Sequence, residues 1–169
     1  MAWQCHHYDG TASLKLLTML TNPRFVALNE VSTICLQLQG GYEGGLDLLG
    51  QQRLQQAATE RSKQLKLSVL AIEAQVRELH ELPAAVDSEQ NVLTGLVDHA
   101  ASQSPLAGLV AGSNASILID VLIEHEKKLE QKAIEVLEQS FSSSLSCPTT
   151  DQLEAIAVQA QVMQRCLKT

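Results

Sequence analysis

Residues 65–79 read LKLSVLAIEAQVREL. Within them Leu65, Val69, Ile72, Val76 and Leu79 step by four, three, four and three positions. On an α-helix that spacing stacks the side chains into one narrow apolar stripe, the seam of a coiled coil or of a long bundle helix. Glu73 and Arg77 lie one helical turn apart in the favourable order. Upstream the stripe fades through Ala58 and Leu54, and Arg61 sits where the spacing calls for an apolar residue. Pro83 stops the helix. From Leu46 to Leu82 the chain is poor in breakers, with Gly50 as the place where a break would fall.

The same helical spacing recurs along most of the chain. Leu14, Leu16, Leu17 and Leu20 suggest a short helix closed by Thr21-Asn22-Pro23. Asn22 then serves as N-cap and Pro23 as first residue of the next helix, where a missing N–H costs nothing. That helix carries Phe25, Val26, Leu28, Val31, Ile34, Cys35 and Leu38. A short strand over 33–39 is a minor alternative, because Ile34, Leu36 and Leu38 alternate there. Gly40-Gly41-Tyr42-Glu43-Gly44-Gly45 reads as a mobile loop that ends the helix, given the backbone entropy of four glycines. Further on, Asp87 to Gln90 has capping-box spacing ahead of Val92, Leu93, Leu96, Val97 and Ala100. Ser104-Pro105 opens an apolar turn containing Leu106, Leu109 and Val110. Ser113 or Asn114 starts a long helix reaching about Phe141, apolar nearly all round at first and amphipathic later. Thr149 or Thr150 starts the last one, with Leu153, Ile156, Ala157, Ala160, Met163 and Leu167 on one face.

The fold class is therefore all-α: a bundle of about five or six helices, two of them long, with coiled-coil-like pairing. Residues 1–169 form a single helical domain, with a sub-boundary at 83–88 and a linker over 142–149 leading to the C-terminal helix. The two long helices would reach about 40–55 Å, beyond the ~30 Å expected of a compact chain this size. Either they break near Gly50 or they project and pair with a second copy. The seam favours the second option, and a homodimer is expected.

Composition narrows the function. The chain has 169 residues, 45% of them hydrophobic and 18% charged, too apolar for a disordered chain. Acidic residues outnumber basic ones nineteen to twelve, giving a net charge of -7. The basic groups Arg61/Lys63/Lys66 and Lys127/Lys128/Lys132 sit among glutamates. Aromatic residues make up 3% of the chain, which leaves no stacking platform. Nucleic acid is not an expected partner. No segment has the ~18 apolar residues needed to span a bilayer. The N-terminal residues lack the pattern of a secretory signal, and four dispersed cysteines suggest ordinary thiols. A cytoplasmic location is expected.

Catalytic templates fail one after another. His6-His7-Tyr8-Asp9-Gly10 resembles the histidine–histidine…aspartate–glycine stretch of HD-GYP phosphodiesterases, but Thr11-Ala12-Ser13 follows in place of glycine–tyrosine–proline, and no kinship is drawn. A di-iron bundle needs glutamate three residues before histidine, so that both share a helix face. Arg77, Leu96 and Leu122 precede His80, His99 and His125 instead. Zincin chemistry needs a second histidine one turn beyond His-Glu, and neither His80-Glu81 nor His125-Glu126 has it. No Gly-x-Ser-x-Gly elbow or phosphate-binding loop occurs.

The expectation is a non-enzymatic protein–protein interaction module of the adaptor, regulatory-antagonist, immunity-factor or secretion-chaperone type, without cofactor. Its interaction candidates are Leu65, Val69, Ile72, Val76, Leu79, Leu106, Leu109 and Val110, with Glu124 and Glu130 on an acidic face running to Glu138. The alternative is a small metal- or ligand-binding bundle drawing on His6, His7, His80, His99 and His125 from separate helices. A structural subunit of a larger assembly is a third possibility.

Overall fold

The computed structural model describes residues 22–79, 111–139 and 145–169, without the side chains of 111–114. Four α-helices occupy these residues: α1 (Pro23–Gly45), α2 (Gln52–Glu78), α3 (Ala111–Glu138) and α4 (Cys147–Leu167). One 3-10 turn, Leu46–Leu49, joins α1 to α2. No strand occurs among the described residues, so 33–39 is helical, as the dominant 3.6-residue spacing requires. Four helices are fewer than the five or six expected. The segments 14–20, 87–100 and 104–110, where others were expected, and the 83–88 boundary lie outside the described residues.

α1 begins where the sequence places it. Asn22 Oδ1 accepts the Arg24 backbone N–H at 3.1 Å, and Pro23 takes the first helical position. Its far end departs from expectation. The helix runs through all four glycines to Gly45, with Gly41, Tyr42 and Gly45 buried. Each helical glycine costs about 1 kcal/mol relative to alanine. That cost is outweighed because Leu38, Tyr42 and Gly45 continue the buried stripe, and Gly45 is the place where α3 comes close. A Cβ on Gly45 would lie 2.6 Å from Leu118 Cδ2.

The break before α2 falls at Gly50, in the left-handed half of backbone space at φ 61°. Gln55 Nε2 reaches back to the Leu46 carbonyl at 3.2 Å, tying α2 to the turn. α4 starts at Cys147, ahead of the expected start at Thr149 or Thr150. Ser146 is its N-cap, its Oγ accepting the Thr149 N–H, and Pro148 lies in the first turn. Residues 147–149 of the expected 142–149 linker are therefore helical, and 142–144 lie outside the described residues.

The helices form a ring in the order α1, α2, α4, α3, and each neighbour is antiparallel to the next. Direction follows from paired residues: Leu46 meets Gln55 and Glu43 meets Ser62, Arg61 meets Gln159 and Ser68 meets Gln152, and Tyr42 meets Glu126 while Glu30 meets Lys132. α2 and α3 are therefore diagonal and parallel, and the end of α2 and the start of α3 lie at opposite ends of the bundle. Leu65, Val69, Ile72 and Val76 are buried and Leu79 is partly so, all within one core shared with Leu28, Leu38, Leu122, Leu129, Leu153 and Ile156. The seam is filled by this chain's own helices. No described helix is long and apolar enough to cross a membrane.

Candidate functional site

One layer across the middle of the bundle is polar, and every helix contributes to it. Glu126 of α3 is completely buried. Arg61 of α2 donates to it twice, Nε to Oε1 at 2.9 Å and Nη2 to Oε2 at 2.8 Å. The Tyr42 hydroxyl of α1 donates to Oε1 at 2.8 Å. Arg61 Nη1 donates to Gln159 Oε1 of α4 at 3.1 Å. Two-point bonding of this kind is stronger and more directional than a single charged contact, and it answers both carboxylate oxygens.

The electrostatics follow from the packing. Burial pushes the Tyr42 phenol well above its ordinary range, and the negative charge of Glu126 adds to this. Burial by itself would lower the Arg61 guanidinium, but the bonds to Glu126 more than reverse it, so Arg61 is held more firmly protonated. Cys35, also buried, has its thiol pushed up to about 12, chiefly by burial; Arg61 opposes the shift and Glu126 adds to it. A thiol held neutral in this way is a packing group and a poor nucleophile.

Smaller polar contacts fasten each pair of neighbouring helices. Glu43 Oε1 accepts from Ser62 at 2.8 Å and from Gln39 at 3.0 Å. Gln152 donates to Ser68 at 2.9 Å. Gln75 Oε1 accepts from both Ser146 and Thr149, at 2.9 and 2.6 Å. Glu130 accepts from Gln164 at 2.7 Å and from Gln161. Lys132 bridges Glu30 and Glu135.

Comparison with known proteins finds no matching family model, no similar curated protein and no similar solved structure. The geometry stands on its own.

The sequence candidates fall in different places. Leu65, Val69, Ile72, Val76 and Leu79 face the core as described above. Glu124 is exposed, whereas Glu130 is half-buried and tied to α4. Glu126, which lies within the acidic face expected between Glu124 and Glu138, is instead the centre of the polar layer. It occupies a slot on the stripe formed by Leu118, Leu122, Leu129 and Ala133, and that position was the available signal. His125 is half-buried with Nδ1 3.0 Å from the Val121 carbonyl. His6, His7, His80, His99, Leu106, Leu109 and Val110 lie outside the described residues. Among the described residues no group of three or more His, Cys, Asp or Glu side chains is placed to hold a metal ion.

Outside the core, a recess of about 540 Å³ opens between α1 and α3. Phe25, Val26 and Ile34 contribute its apolar lining, with Glu30, Lys128 and Lys132 among its charged residues.

Proposed function

We propose that this chain is a non-enzymatic helical binding module, of the adaptor or regulatory-antagonist kind, that works by engaging another protein. The observation that carries this reading is the buried network that bonds Tyr42, Arg61, Glu126 and Gln159 to one another. The groups with most chemical capacity are spent on one another and fix which helix faces meet. A catalytic carboxylate or phenol needs an approach for substrate and a bond it can give up. What the bundle offers a partner is its outer surface, where Leu67, Leu70, Ile117, Val158 and Val162 are each more than half exposed.

The homodimer now rests on those outer faces, since the seam is occupied within one chain. A reducing cytoplasm suits a protein whose described cysteines, Cys35, Cys147 and Cys166, are all free thiols.

The test is site-specific photo-crosslinking of the full chain in its native cells, from positions 26, 67 and 158 in turn. A discrete adduct with a second polypeptide is expected from at least one position. Clean irradiation from all three would withdraw the reading. Light scattering reads the dimer separately: a mass of 18.3 kDa across the concentration range would remove it.

A further inference from the structure

We infer that residues 88–101 of this chain lie along the outer face of α2 and α4, where the stripe of Val92, Leu93, Leu96 and Val97 covers Leu67, Leu70, Val158 and Val162. The inference stands apart from the binding-module reading, because a contact within one chain needs no partner.

The route of the chain supplies the occupant. Residues 80–110 lie outside the described residues, but both of their anchors are placed. The chain leaves α2 at Leu79 and enters α3 at Ala111, at opposite ends of the bundle and on diagonal helices. The separation is about the length of α2, whose 27 residues rise about 40 Å. Residues 80–110 must therefore travel the length of the bundle along its outside, over α4 or over α1.

The two routes offer different surfaces. Leu67 and Leu70 lie near the middle of α2 and Val158 near the middle of α4, with Val162 one turn further on. The Arg61–Gln159 and Ser68–Gln152 bonds set these stretches side by side. All four residues are more than half exposed. Between the two helices Ala71 and Gln152 border a hollow of about 70 Å³ whose lining carries no charge. On the α1 route Phe25 and Val26 sit at one end of the bundle, and Asn29, Thr33 and Gln37 follow toward the middle. An apolar stripe crossing at mid-height finds apolar cover over α4 and polar side chains over α1.

The spacing in the segment matches that height. Val92, Leu93, Leu96 and Val97 share one face at helical spacing, and they fall in the middle of 80–110 as the exposed leucines and valines fall in the middle of α2 and α4. A helix over 88–101 spans about 21 Å, and the flanking residues reach the rest at up to ~3.3 Å each.

A benzophenone photo-crosslinker at position 67 or 158 of the purified full chain, irradiated in dilute solution and mapped by peptide mass spectrometry, tests the inference. Adducts within the same chain to residues 88–101 are expected from both positions, and none from position 33 on α1. Leu96→Asp, which sets a charge in the covering stripe, should lower both yields about tenfold. Asn91→Asp, on the opposite side of that stripe, should leave them unchanged, and circular dichroism would verify that both variants keep their helix content. Adducts to 88–101 from position 33 in place of 67 and 158, adducts between two copies, no adduct reaching 88–101, or an equal response to the two substitutions would overturn the inference.

Discussion

Arg61 and Glu126, sixty-five residues apart in sequence, form a forked ion pair with both side chains at or below 2% exposure. Removing two charges from water costs several kcal/mol each, and the fork together with the Tyr42 and Gln159 bonds must offset it. The pair is thus a poor source of net stability and a good source of specificity. A slipped α2 or α3 would leave a bare charge in the core, which makes wrong registers expensive.

Breaking one half of this pair should therefore hurt more than replacing both. Arg61→Ala or Glu126→Ala is expected to cost about 3–5 kcal/mol in urea unfolding. The double variant Arg61→Met/Glu126→Leu should recover most of that loss or exceed the parent. If the double variant is no better than either single one, the layer contributes stability outright and the specificity argument fails.

Tyr42→Phe isolates the third bond. It removes one donor to Glu126 and leaves the Arg61 fork in place, so a loss of about 1.5–3 kcal/mol is expected, the usual worth of a hydrogen bond to a charged group. An unchanged urea midpoint would mean that the hydroxyl is unimportant to the carboxylate.

The two glycines at the end of α1 should respond oppositely to alanine. Gly44 is exposed, and alanine there should stabilise by up to about 1 kcal/mol through helix propensity. At Gly45 the added Cβ meets Leu118 Cδ2 at 2.6 Å, and Leu118 is itself 94% buried, being 6% exposed. Shifting it costs about 1–3 kcal/mol, the usual range for overpacking. Thermal unfolding of both variants reads the sign; equal gains would show that the close approach of α3 is easily relieved.

Much of the fold was legible where local and global signals agree. Asn22-Pro23 is both a capping pair and a true start, and the stripe from Leu153 to Leu167 is buried as spacing implies. The site was hidden where the signals conflict. Four glycines argue for a loop, yet Tyr42 lies four residues beyond Leu38 on the same helix face, and burial of that face prevails over propensity. Arg61 stood out as a charge on an apolar stripe. Its partner did not, because Glu126 lies among many solvated charges and its burial depends on α1 and α2, far away in sequence. A pairing of that kind is set by tertiary contact and leaves only a spacing clue.

Alkaline pH should unfold the bundle through buried groups that cannot release their protons. Cys35 has its pKa raised from 9.0 to about 12, and Tyr42 well above 10.0. For each, the folded state keeps a proton that the unfolded chain gives up. Stability is therefore intact below about pH 9, where both states are protonated. It falls as pH rises from 9 toward 12, first with Cys35 and then, above 10, with Tyr42 as well. Cys35→Ala should flatten the part of this slope between 9 and 10, at some cost in packing at all pH values. Urea midpoints measured between pH 7 and pH 11 check the sign. A midpoint that rises over that range, or a slope unchanged by Cys35→Ala, would show that the thiol ionises in the folded bundle and that its site is not sealed from water.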